Sequence, residues 1–194
     1  MTHLMDPSRL SPVDTPRMIL TPIGAGDVRD LLVLYSDPIV ARWTGPWTEG
    51  ATRRWARSMV DRWQSDGVAK WMARDRATGA LIGRGGPTRL DLEGETVVEI
   101  GWVIRDALTG LGYATEMGLA AVEWTARFEP QLPVVSFTEV HNRASRAVMT
   151  RLGMEFERII VREGLVEGRE GLQADAPFAL YRLPTRQPRM VTPG

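Results

Sequence analysis

In this 194-residue sequence, the stretch best suited by residue type and spacing to ligand chemistry is Gly110-Leu111-Gly112-Tyr113-Ala114-Thr115-Glu116. Two glycines flanking one residue let the backbone turn tightly, with its N–H groups converging on one point. A helical run follows, and a helix starting there adds unpaired N–H groups and the positive end of its dipole. Such a corner is an anion site, most simply a phosphate site. A Gly-x-Gly turn also arises for structural reasons alone, so the flanking segments must decide. Other chemistries are poorly supplied. The chain has no cysteine, which removes disulfides, thiolate metal sites and cysteine nucleophiles together. His3 and His141, the two histidines, stand far apart, so neither a metal site nor a Ser-His-Asp triad is expected.

The elements that must position this corner follow from periodicity. Residues 1–16 carry three prolines and little pattern, and are expected to form an extended arm. Arg17 to Ile23 is a first strand, and Asp27 to Tyr35 a short helix. A second helix starts at Thr48, whose hydroxyl suits a cap, and repeats Trp55, Met59 and Trp63 along one face. From Val68 the period shifts to two. Val68–Arg74, a run from Ala80, and Thr96–Ile104 are strands joined by turns at Asp75–Gly79 and Asp91–Glu95, with Gly83, Gly85 and Gly86 marking a bulge or a close backbone approach. Leu111–Phe128 is a helix with the apolar stripe Met117, Ala120, Ala121 and Trp124. Leu132–Thr138 is a strand apolar enough to be buried on both faces. Asn142–Leu152 is a helix stopped by Gly153, and Phe156–Val161 with Pro177–Leu183 close the chain as strands around a loop at 162–176. This order predicts a mixed α/β fold: a largely antiparallel central sheet, a folded region over 17–183 and a tail over 184–194.

Composition narrows the function. Basic and acidic side chains number 24 each, a balance that argues against a nucleic-acid or membrane-surface binder. Among the basic residues only Lys70 is lysine, which reads as a composition bias without functional content. No apolar run approaches the ~20 residues a bilayer span requires. The N-terminus lacks an apolar signal core, so a cytoplasmic location is expected.

Taken in order, Val98-Glu99-Ile100-Gly101-Trp102-Val103-Ile104, the Gly110–Glu116 corner, a buried strand, Asn142-x-x-Ser145 opening a helix, and Leu152-Gly153-Met154 resemble the GNAT superfamily of acetyl-CoA-dependent N-acetyltransferases. Within it the chain looks most like the Rim-type branch, which acetylates ribosomal-protein N-termini and small amines. The likeness covers roughly residues 15–183. It implies a splayed sheet with helices on both faces, acetyl-CoA as cosubstrate, an amine acceptor and no covalent enzyme intermediate. Leu111, Gly112, Tyr113, Ala114 and Thr115 would supply backbone donors to the pyrophosphate. The edge Trp102-Val103-Ile104 would pair with the pantetheine amides as another strand would. Asn142 would hydrogen-bond the cofactor arm.

Three groups then carry the chemistry that the resemblance implies. Glu99 is assigned as general base, the Val103 N–H as donor to the acyl oxygen, and Ser145 as neighbour of the departing thiolate. Each has a plainer reading: Glu99 as a solvated strand residue or partner of an arginine, Ser145 as a packing residue, and Asn142 as a helix cap. Two positions depart from the family pattern. Thr109 replaces the long side chain common before the first glycine, and Met149 stands where many members carry an acidic tyrosine. Trp43 and Trp47, in an apparently irregular segment, are assigned to the acceptor pocket, with a core-wall role as the alternative. Trp55, Trp63 and Trp124 read as packing, and Trp71 is left open. A transferase of longer acyl groups and a catalytically weak acyl-CoA sensor are the competing functions, and a homodimer stays open.

Overall fold

The computed structural model describes residues 6–45 and 47–184. Its strands are β1 (Val13–Asp14), β2 (Met18–Pro22), β3 (Trp71–Asp75), β4 (Leu81–Leu92), β5 (Glu95–Ile104), β6 (Val134–Glu139), β7 (Glu155–Gly164) and β8 (Gln173–Arg182). Its helices are α1 (Val28–Tyr35), α2 (Pro38–Thr44), α3 (Glu49–Ser65), α4 (Tyr113–Phe128) and α5 (Arg143–Arg151). The strands form one eight-stranded sheet in the order β1-β2-β3-β4-β5-β6-β8-β7. Every neighbouring pair is antiparallel except β5 with β6. This is the expected mixed α/β architecture, with helices flanking a mostly antiparallel sheet.

The pairing of β5 creates the functional feature of the fold. Its ladder with β4 is unbroken from Leu92↔Glu95 to Gly83↔Ile104. Its parallel pairing with β6 consists only of Val98↔Val134 and Glu99↔Val135. Beyond Glu99 the two strands part, and the last residues of β5 keep a partner on one side alone. Helix α4 lies against β4 and β5. It approaches so closely that a Cβ on Gly85 would sit 2.2 Å from Met117 Sδ, so Gly85 marks a close approach, while the β3–β4 register shifts between Gly83 and Leu81 as a bulge beside Gly83. The stripe Met117, Ala120, Ala121 and Trp124 is buried as expected. Trp124 meets Trp63 and Trp71 edge-on, each pair of centroids 6.1 Å apart, and Trp71 is fully buried.

Three expectations need correcting. The segment Arg42–Trp47 is not wholly irregular: Trp43 belongs to α2, which Asp37 caps by accepting from the Ile39 amide. Seven residues are too few for periodicity to register, but Asp37-Pro38 is a cap followed by a proline at the first helical position, a signal the sequence does carry. The loop at 162–176 is shorter than expected, because β7 runs to Gly164 and β8 starts at Gln173. The N-terminal segment is not simply extended. Pro7–Leu10 forms a 3-10 turn and Val13–Asp14 pairs with β2. Residues 1–5 and 185–194, the remainder of the arm and nearly all of the tail, lie outside the described residues.

Arg9 anchors that segment. Its guanidinium donates to buried Glu129 at 2.5 Å and to the Phe128 carbonyl at 2.7 Å, while Arg89 donates to the same carboxylate at 2.7 Å. Removing one cation from a carboxylate that is 1% exposed leaves charge poorly compensated. Arg9→Ala is therefore expected to cost about 2–3 kcal/mol and to lower Tm by roughly 5–10 °C. A thermal melt that moves by less than about a degree would show that the segment docks without stabilising.

Candidate active site

A cavity of about 1040 Å³ opens where β5 and β6 part. Of the residues singled out in the sequence, Trp43, Trp102, Val103, Ile104, Gly112, Tyr113, Ala114, Thr115, Asn142 and Ser145 line it. Leu111 sits at its rim with an exposed side chain, while Glu99 and Trp47 are not among the lining residues. The space is at the upper end of ordinary ligand pockets and suits an elongated ligand.

The glycine corner has the properties an anion requires. Gly112 holds φ 85°, a left-handed conformation that costs an L-residue ~1–2 kcal/mol, and it caps α4 with no side-chain bond. The Thr109 hydroxyl donates to the Asp106 carbonyl and so does not cap the helix either. The first α4 bond runs from the Glu116 amide to the Gly112 carbonyl. Among the described residues no acceptor takes the N–H groups of Leu111, Gly112, Tyr113, Ala114 or Thr115. Five unpartnered backbone donors thus stand at the N-terminal end of α4, where Gly112 to Thr115 line the cleft.

The corner is braced from the far end of the chain. Arg17 donates to the Leu111 carbonyl at 2.8 Å and to Glu116 Oε2 at 2.7 Å, and its guanidinium stacks 4.2 Å from the Tyr113 ring centroid. Glu116 Oε1 accepts from Thr15 Oγ1 at 2.7 Å and from the Arg17 amide at 2.8 Å. The partly exposed Arg17 also brings a cation beside the corner, which Thr109 cannot do. Burial pushes the Glu116 carboxyl up, but the bonds from Thr15 and Arg17 outweigh it and hold it below the ordinary 4.5. Between that lowered value and 4.5 the unfolded chain binds more protons than the folded one, so this stabilisation is complete above pH 4.5 and is lost as pH falls through the folded value. Glu116→Ala is expected to cost about 2–4 kcal/mol at pH 7. The difference in melting temperature from wild type should shrink as pH falls below 4.5, and a pH-independent difference would contradict the role given to this carboxylate.

The free edge of β5 corrects one assignment. The Val98 amide donates toward β6, to the Pro133 carbonyl, and the Arg105 amide donates toward β4, to the Ile82 carbonyl. Backbone groups alternate sides along a strand, and the β4–β5 register is unbroken. Trp102 and Ile104 therefore turn their N–H and C=O groups into the gap, while the Val103 amide faces β4. Val103 lines the cleft but its N–H cannot be the donor to a group bound there. The Trp102 N–H faces the gap instead. The alternation was readable only once the partner strand was known.

Across the gap, Asn142 caps α5, its side-chain oxygen accepting from the Ser145 amide at 3.1 Å. Among the described residues its amide nitrogen and the Ser145 hydroxyl have no protein partner, and both residues border the cavity. Met149 is 1% exposed in the core and does not reach the cleft.

Comparison with known proteins decides the family. Residues 17–155 match the family described as an acetyltransferase (GNAT) domain. The chain belongs to the GNAT acetyltransferases. It is 27% identical to the Bacillus subtilis protein YkkB over 129 residues, 66% of this chain and 75% of that one. It superposes on an acetyltransferase from Agrobacterium tumefaciens with a TM-score of 0.72 at 24% identity, covering 90% of this chain and 95% of that one. It also superposes on RimL, a ribosomal L7/L12 alpha-N-protein acetyltransferase in complex with coenzyme A, with a TM-score of 0.70 at 16% identity over 89% and 97% of the two chains. This GNAT chain is thus an acyl-CoA-dependent N-acyltransferase, and GNAT acetyltransferases use acetyl-CoA.

The remaining predicted residues fall into place unevenly. Glu99 is the last residue of β5 paired to β6, and its carboxylate meets Lys70 Nζ at 2.5 Å. Trp43 borders the cleft with its ring centroid 5.2 Å from that of His141. Trp47 instead stacks on Tyr35, with centroids 3.8 Å apart, and stands edge-on to Trp55. Its surroundings match the core-wall alternative. Sequence reasoning missed Arg17 and Lys70. Arg17 has no local signal, whereas Lys70 was conspicuous as the one lysine in the chain.

Proposed function

We propose that this enzyme transfers an acetyl group from acetyl-CoA directly to a primary amine, either of a small molecule or of a protein N-terminus, within a catalytic domain spanning 17–183 in the cytoplasm. One observation carries the reading: five unpartnered backbone donors at 111–115 stand beside a strand edge that opens at Trp102. The RimL neighbour supports a place in the Rim-type branch.

The residues fit the cofactor. The corner amides of 111–115 hold the pyrophosphate, with Arg17 supplying positive charge nearby. The Trp102 and Ile104 backbone groups pair with the pantetheine amides, and the Trp102 N–H stabilises the acyl oxygen as it gains negative charge. Asn142 donates its free amide to the arm. When bound, acetyl-CoA supplies an acetyl group already activated as a thioester. Glu99 Oε1 takes the proton that keeps the amine from attacking, through a short chain of water that spans the distance to the cleft. Ser145 stands by the departing sulfur, which is a tolerable leaving group without an acid because a thiol pKa is about 8.5. The apolar cleft wall at Ile39, Val40, Trp43 and Leu108 receives the body of the acceptor.

The family membership favours turnover over a sensor role. A thiol-release assay with acetyl-CoA across small amines and short peptides tests the proposal: at least one amine should release free CoA at a rate linear in enzyme. Tight acetyl-CoA binding with no release on any acceptor would reject it.

A further inference from the structure

We propose that Lys70 is the positioning residue for Glu99, fixing one carboxylate oxygen so that the other faces the open end of β5. The inference rests on the general-base reading of Glu99. Lys70 is the only lysine in a chain rich in arginine, and it is 6% exposed. Its ammonium donates to Glu99 Oε2 at 2.5 Å and to the Gly86 carbonyl at 2.7 Å, with the Glu99 carbonyl at 3.4 Å. Three acceptors around one nitrogen match the three donors of an ammonium, and a planar guanidinium is too broad to satisfy them from the same place. The lysine backbone is itself fixed, since its carbonyl accepts from the Ile23 amide and from Trp63 Nε1.

The other oxygen is left free on purpose-built ground. Glu99 Oε1 lies 2.5 Å from where a Cβ on Gly101 would sit, so any side chain at 101 would displace it. Among the described residues no protein group donates to that oxygen. Gly101 is on the same strand face as Val103, which lines the cleft. At about 3.3 Å per residue, the carboxylate stands roughly 6–7 Å along the strand from that lining residue, a gap that a short chain of one or two waters spans.

The pair also sets a pH limit. Burial pushes the Lys70 ammonium down from its ordinary 10.5, Glu99 opposes this, and Arg84 of β4 and Arg62 of α3 add to the lowering. As pH rises through that lowered value, the amine becomes neutral and its hold on Oε2 weakens. Activity should therefore show an alkaline limb below pH 10.5 that belongs to Lys70.

A single lysine makes the test direct, because protein labelled with 13C at lysine Cε gives one side-chain resonance. That resonance should titrate below 10.5 in wild type and lower still in Glu99→Gln. Using the fastest amine of the thiol-release panel, Lys70→Met should lower kcat by roughly 10- to 100-fold and abolish the alkaline limb, with acetyl-CoA affinity unchanged. Lys70→Arg, which keeps the charge but not the geometry, should recover less than a tenth of wild-type kcat. A resonance unmoved by Glu99→Gln overturns the contact even if Lys70→Met fails to fold. An inactive Glu99→Gln beside a Lys70→Met enzyme with wild-type kcat and pH profile overturns this proposal alone, whereas a fully active Glu99→Gln removes the base reading and this proposal with it.

Discussion

Glu99→Gln is expected to lower kcat by roughly 100- to 10,000-fold while leaving acetyl-CoA affinity within about twofold of wild type. Gln retains an oxygen for Lys70 and the shape of the side chain, so the fold survives. Charge balance does not survive, because the buried ammonium loses its counter-ion, and a stability loss of about 3 kcal/mol accompanies the change. The two effects separate by measurement. Calorimetric titration with acetyl-CoA reports on the corner and strand edge, which Glu99 does not touch, and single-turnover rates report on the chemistry. The kcat loss should be largest near neutral pH and diminish at high pH, where the amine loses its proton without help. A Glu99→Gln enzyme that turns over at wild-type rate would leave amine activation to solvent.

The second large effect lies in cofactor binding. Gly112→Val places a β-branched side chain at φ 85°, where only glycine is comfortable, and puts a Cβ 3.4 Å from an Arg17 nitrogen. The turn must relax, and the amides of 111–115 lose their common focus. A hydrogen bond to a charged group contributes about 1.5–3 kcal/mol, so losing one or two weakens CoA binding by roughly 100-fold. Gly112→Ala should show a smaller loss, about tenfold, because the backbone strain of about 1–2 kcal/mol remains without the added bulk. Calorimetry with CoA distinguishes these outcomes, and binding within threefold of wild type in Gly112→Val would show that the grip lies elsewhere.

What the sequence disclosed and what it withheld divide along a physical line. The glycine corner, the buried face of α4 and the Asn142 cap were legible because each is a local property of adjacent or helically spaced residues. The long-range features were not. Arg17 and Glu116 are 99 residues apart, and nothing in either segment announces the other. The direction of the Val103 amide depends on which strand pairs on which side of β5. Trp47 reads from its neighbours in sequence as available to an acceptor, whereas in the fold it stacks on Tyr35, the two being brought together by the segment between α1 and α3. Helix α2 was too short for its period to register, although its cap was written at Asp37-Pro38. Lys70 stands out in the sequence as the one lysine, but rarity names no partner, and only the fold sets its ammonium on Glu99.

The proposed function depends above all on the backbone donors at 111–115 and the free edge of β5 gripping CoA. A titration of 15N-labelled protein with CoA, followed by amide chemical shifts, tests it most directly. Saturable shifts are expected, largest for the amides of Leu111 to Thr115, with a second group at Trp102 and Ile104. No perturbation at millimolar CoA, or shifts confined to another face of the molecule, would contradict it.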